Sequence, residues 1–152
     1  MLLNTIPLKF KTKKIKREFH NPDLVEPRLI AGLFALGWYA KAKGFPPPVI
    51  TCLARDFDGT NDYSPHVITE RRKRCHAADI RAHFNYFTPE QEERLRNFCR
   101  IYFPRTDMLL LEGGINDWVG GTRLHGKGAH RHIHWSIEPL QQYLSRLRLL
   151  KP

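Results

Sequence analysis

From His130 to Ile137 the chain reads HRHIHWSI, in which histidines and then a serine alternate with residues that are mostly large and apolar. A period of two belongs to a β-strand, because successive side chains leave a strand on opposite faces. The spacing therefore sets His130, His132 and His134 on one face and Ile133, Trp135 and Ile137 on the other. A strand that is polar on one side and greasy on the other needs helices or a second sheet over its apolar face.

Working outward, the flanking segments supply those partners. Before the strand, Gly113 to Gly128 holds six glycines and reads as largely loop, and MLLLE (Met108 to Glu112) reads as a buried strand ending in a carboxylate. Thr88-Pro89-Glu90-Gln91 combines an N-cap, a proline at the first helical position and a capping-box glutamine, and Leu95, Phe98, Cys99 and Tyr102 follow at helical spacing up to Pro104. Val25 to Ala42 fits a buried helix opened by Pro27 and stopped at Gly44. Val49 to Leu53 is short, β-branched and bounded by prolines, hence a strand, and the polar stretch Asp56 to Pro65 is a surface loop. A short helix from Pro139 to Leu149 closes the chain. The expected fold is α+β, a small antiparallel sheet with helices packed against it. Residues 1–20, carrying Lys9, Lys11, Lys13, Lys14, Lys16 and Arg17, read as a basic arm or edge strand, and residues 21–152 as a single domain.

Composition bounds the function. A chain of 152 residues with 41% hydrophobic content can bury a core without disulfides. Three cysteines with no C-x-x-C pair argue against a disulfide framework and a cysteine-rich zinc knuckle, leaving buried free thiols. The longest apolar stretch, residues 29–42, is too short to span a bilayer and is broken by Gly32 and Gly37. The amino terminus lacks the order of a secretory signal, so cytoplasmic synthesis is expected. With 25 Lys plus Arg against 15 Asp plus Glu, the formal charge is +10. Such a surface attracts polyanions such as nucleic acid, anionic lipid or an acidic wall polymer.

The chemistry concentrates in histidine, since seven of the eight lie from His66 onward. Imidazole is the commonest zinc ligand, and catalytic zinc sites combine three His, Asp or Glu ligands with an open fourth position. Each candidate also has a plain structural reading. Asp79 can pair with Arg81 or Lys73, Glu112 can cap a loop, Arg55 can be solvated, and Arg71 to Arg74 can form a solvated face. Cys75-His76 is a poor nucleophile and base, because adjacent side chains rarely aim at each other.

The ordered motifs resemble a known family. Thr51 to Arg55, Ser64-Pro65-His66, Ala77-Ala78-Asp79-Ile80, MLLLE and HIHWSIEP look like the successive elements of the zinc peptidases that include D-Ala-D-Ala carboxypeptidases, L-alanyl-D-glutamate phage endolysins and the Hedgehog signalling domain. The resemblance implies a Hedgehog/D,D-peptidase-like zinc fold in which His66, Asp79 and His134 bind Zn2+. It implies Glu112 as general base, His132 beside the site, and Arg55 near the substrate carboxylate or developing oxyanion. Two spacings are longer than the family's. Twelve residues separate His66 from Asp79, which leaves His76 as a rival ligand. Nineteen separate Glu112 from His132, which leaves Asp117, Glu138 or His130 as alternative bases.

The expected function is hydrolysis of peptidoglycan stem peptides by a monomeric zinc metallopeptidase, either a carboxypeptidase or endolysin-like. It would be made in the cytoplasm, would act at the cell wall after release, would hold an anionic polymer through its basic residues, and would not be an integral membrane protein. The alternatives are a non-catalytic zinc-binding interaction module of the same fold and, last, a basic nucleic-acid binder, for which no recognition motif is present.

Overall fold

The structure, a computed structural model, describes residues 6–59, 64–70, 72–112 and 117–142. A short strand β1 (Lys9–Phe10) leads into helix α1 (Lys13–Phe19), then α2 (Pro27–Ala42) and strand β2 (Val49–Cys52). A two-stranded pair, β3 (Arg55–Asp56) and β4 (Val67–Ile68), precedes β5 (Ala77–Arg81), helix α3 (Pro89–Tyr102), β6 (Thr122–His125) and β7 (His132–Ser136). The main sheet has five strands in the order β1-β2-β5-β7-β6. No helix among the described residues is long and apolar enough to cross a membrane.

The α+β class holds, but the sheet is mixed, not antiparallel. β1 and β2 are parallel, whereas β2–β5, β5–β7 and β7–β6 are antiparallel. The cause is the connection: β1 reaches β2 through α1 and α2, and a helical crossover returns the chain in its original direction. The basic segment expected as an arm or edge strand thus supplies an edge strand and a helix. Leu8, Ile15 and Phe19 enter the core while the lysines point outward.

Both long helices begin and end as their residues dictate. In α2, Pro27 occupies the first turn and Gly44, at φ +72°, turns the chain away after the last one. In α3 the Thr88 side chain accepts from Gln91 N while the Gln91 side chain accepts from Thr88 N, a complete capping box. Leu29, Leu33, Leu36 and Ala40 of α2 and Leu95 and Cys99 of α3 join Ile50, Ala78, Ile80, Ile133 and Trp135 of the sheet in one core. Gly32 is required by that packing, since a Cβ there would lie 2.6 Å from Trp135 Cη2.

Three local expectations are corrected. MLLLE is no strand: residues Thr106–Leu111 form a 3-10 turn, and the sheet position beside β7 is taken by β6. A short apolar run cannot by itself distinguish a strand from a buried turn of helix. β6 itself lies inside the glycine-rich stretch expected as loop, where Gly120 and Gly121 take positive φ to turn the chain into it. Finally, His130 belongs to the turn Gly128–His130 and not to the strand, which starts at His132. Of the closing helix expected from Pro139 to Leu149, residues 140–142 are helical, Pro139 stands just before them, and residues 143–149 lie outside the described residues.

Candidate metal centre

With the helices on the apolar face, the opposite face of the sheet carries the chemistry. Register aligns Cys52 with Asp79, Asp79 with His134, and His134 with Arg123, so these four side chains form one row across β2, β5, β7 and β6. The neighbouring row holds Arg81, His132 and His125. His66 reaches the first row from the loop that enters β4. Its carbonyl accepts from Arg55 N at 2.9 Å and its amide donates to Ser64 Oγ at 3.3 Å.

His66, Asp79 and His134 are buried, with relative exposures of 2%, 4% and 7%. Asp79 Oδ1 lies 3.1 Å from His66 Nε2 and 3.0 Å from His134 Nδ1, and the two imidazole nitrogens are 3.3 Å apart. His132 Nε2 approaches the same oxygen at 3.5 Å. These separations match a tetrahedral ion, since metal–ligand bonds of about 2.0–2.1 Å put neighbouring donors roughly 3.3 Å apart. Among the described residues, Cys52–His66–Asp79 and Asp79–His132–His134 are the groups whose donor atoms converge closely enough to hold a metal ion.

Outer partners orient the candidate ligands. His66 Nδ1 lies 2.7 Å from the Leu53 carbonyl, which can only accept, so Nδ1 carries the proton and Nε2 turns its lone pair on the carboxylate. His132 does the same through Nδ1 and the His130 carbonyl at 2.6 Å. A lone pair of His66 and a carboxylate oxygen buried together need a cation between them, either a proton or a metal. The titration behaviour agrees. Burial opposes charge on His66, yet Asp79's charge and hydrogen bond outweigh it and hold the imidazole well above its ordinary value. Asp79, likewise buried, is held well below the usual carboxylate range by His66 and His134. Burial pushes His134 down to about 4 despite its bond to Asp79. Without metal the trio therefore carries one proton at neutral pH.

Arg55 stands at one end of the row. Its Nη2 is 3.7 Å from Asp79 Oδ2 and its Nε donates to Cys52 Sγ at 3.2 Å. Of the trio, Asp79 borders a cleft of about 200 Å3 whose lining also includes Lys11, Thr51, Arg55, His83, His130 and His132. Asp79 is the one carboxylate among its lining residues.

The other candidates are elsewhere. His76, the rival ligand, faces Glu26 with 3.9 Å between Nε2 and Oε2, in a different pocket. The Glu112 carboxylate accepts from Gly120 N at 3.2 Å, beside the bridge between Glu112 and Trp118. Asp117 pairs with Arg96 at 3.2 Å, and Glu138, fully buried, lies 3.9 Å from Arg72. Sequence reasoning set Cys52 aside as a buried thiol, although it stands at the lip of the trio, and took Arg72 for part of a solvated face. Arg72 Nη1 donates to the carbonyls of Ser64 at 2.6 Å and Val67 at 3.1 Å, gripping the loop on either side of His66. No protein-family model, curated protein or solved structure matches the chain.

Proposed function

We propose that the protein is a zinc-dependent peptidase acting on peptidoglycan stem peptides, with His66, Asp79 and His134 as the zinc ligands. The observation that carries this reading is the convergence of those three buried donors, 3.0 to 3.3 Å apart, with Asp79 bordering a cleft lined by Lys11, Arg55 and Arg131. The donor set fits zinc: two imidazoles and a carboxylate are its usual ligands, and His66 is already held by the Leu53 carbonyl in the required tautomer. A zinc ion held there supplies Lewis acidity and lowers the pKa of bound water to about 7.

The remaining roles fall to residues of the chain. His132, oriented by the His130 carbonyl, presents Nε2 to the cleft and is placed to take the proton of the attacking water and return it to the leaving amine. Arg55, at the Cys52 end of the row and 3.7 Å from Asp79, would stabilise negative charge developing on the scissile carbonyl oxygen. Glu112, the base implied by the family resemblance, is engaged with Gly120 N–H, and that engagement favours His132 for proton transfer.

The test is mass spectrometry of peptidoglycan fragments released by the zinc-loaded protein, beside a chelator-treated sample, with zinc content measured in each variant. His134→Ala should lose zinc and activity together. His132→Gln should keep zinc and lose turnover, whereas Glu112→Gln should keep both. Hydrolysis that survives the chelator and His134→Ala would overturn the mechanism. The engagement of Glu112 also favours a second reading, a zinc-bearing interaction module, which predicts one bound zinc and no fragments from any wall peptide.

A further inference from the structure

The row Cys52–Asp79–His134–Arg123 crosses three strand spacings, about 14 Å at roughly 4.8 Å each. Arg55 stands at its Cys52 end, and Arg123 of β6 is the last residue at the other end. The Arg123 guanidinium lies 5.3 Å from the centre of the Trp118 ring, and Trp118 meets the His134 ring edge-on at 6.4 Å. Arg123, Trp118 and His134 are therefore one contiguous wall on the side of the trio away from Arg55. Arg123 Nε is buried and meets no hydrogen-bond acceptor among the described residues, nor does its guanidinium form an ion pair among them. A buried donor on a charged group is costly to leave unmet, and an arginine fork held over an aromatic ring is pre-ordered for a planar anion. Arg81, the other arginine of this face whose Nε lacks an acceptor, stands in the adjacent row beside His132 and against Tyr86.

We infer that Arg123, backed by Trp118, is a specificity-determining residue that binds a carboxylate of the substrate on the His134 side of the metal centre. The ligand class is a peptide with a free carboxylate close to the bond at the centre, either the terminal α-carboxylate or an acidic side chain. Arg123 then fixes which side of the scissile bond carries the charge, while Arg55 serves the reacting carbonyl. This assignment rests on the peptidase reading for the word substrate, but the carboxylate site itself stands on the row geometry and the unmet guanidinium.

Two measurements test it. In the first, N-acetylglycine and its uncharged amide are titrated into the protein, with and without added zinc, and followed by NMR. The carboxylate should bind ~10-fold or more tightly than the amide, Arg123→Gln should abolish that preference, and Arg123→Lys, which keeps charge but not the fork, should restore part of it. In the second, the peptide hydrolysed in the wall assay is compared with versions amidated at its terminal or at its side-chain carboxylate. Arg123→Gln should raise KM for the free form about tenfold or more with little change in kcat and in zinc content. It should leave the KM of one amidated form unchanged, and that form names the carboxylate. Equal treatment of acid and amide by the wild-type protein, or equal losses for both in the variants, would overturn the assignment even if hydrolysis persists. No hydrolysis by the wild type, with an Arg123-dependent preference for N-acetylglycine, would remove the peptidase reading and leave the carboxylate site in place.

Discussion

Two imidazoles sharing one proton give the site a pH signature. In the unfolded chain His66 and His134 both titrate near 6.5, so together they bind two protons in acid and none in alkali. Folded without metal they hold one. Below about 6.5 the unfolded chain has the excess of protons, because His134 stays neutral down to about 4, and their contribution to stability rises with pH. Above it the folded chain has the excess, because His66 keeps its proton, and that contribution falls. Urea denaturation of chelator-treated protein should show this pair favouring folding most near pH 6.5, and zinc should replace the alkaline fall with a plateau. Zinc binding near neutral pH should release about one proton, read by calorimetry in buffers of different ionisation enthalpy. At this scale the sequence was informative in singling out His66, Asp79 and His134, which the fold brings within hydrogen-bonding distance of one another, because residues of one chemistry in a set order leave a trace in one dimension. It was silent for Cys52, Arg72 and Arg123, whose significance comes from a neighbour brought in by folding. Arg72 illustrates the point: in sequence it is one of four adjacent basic residues, while in the structure it bonds the carbonyls of Ser64 and Val67, on either side of His66. Arg72→Ala should weaken zinc binding about tenfold or more while leaving the helical content intact, measured by competition with a chromophoric chelator.

Elements were legible where local chemistry alone defines them. The capping box of α3 and the Pro27 and Gly44 boundaries of α2 depend on residues within a turn of each other, and both helices lie where those signals put them. β6 and the turn at Thr106–Leu111 are defined instead by which segment reaches the free edge of β7, a competition invisible in either segment. The parallel pairing of β1 follows from a connection through two helices, again a property of the path. The contact between α2 and β7 is another such dependency. Gly32→Ala should force Trp135 from its place and cost about 1–3 kcal/mol by chemical denaturation. Because Trp135 is next to His134 in β7, zinc affinity should fall with it.

Across the molecule the charge is lopsided in kind as well as in amount. The formal charge is +10, and the cleft in front of the trio is itself lined by Lys11, Arg55, Arg131 and three histidines. An anionic wall fragment should thus be drawn to the same face that would act on it, so raising salt from 50 to 300 mM should raise KM several-fold on charged fragments and leave kcat nearly constant. An uncharged peptide should show little salt dependence in the same assay. The ligands also have a topological consequence. Asp79 is 13 residues from His66 and 55 from His134, so an ion held by all three ties a surface loop and a late strand to the middle of the sheet. Such a knot would make the lifetime of the molecule among proteases a function of the zinc around it, with scarcity leaving the loop free to open and be cut.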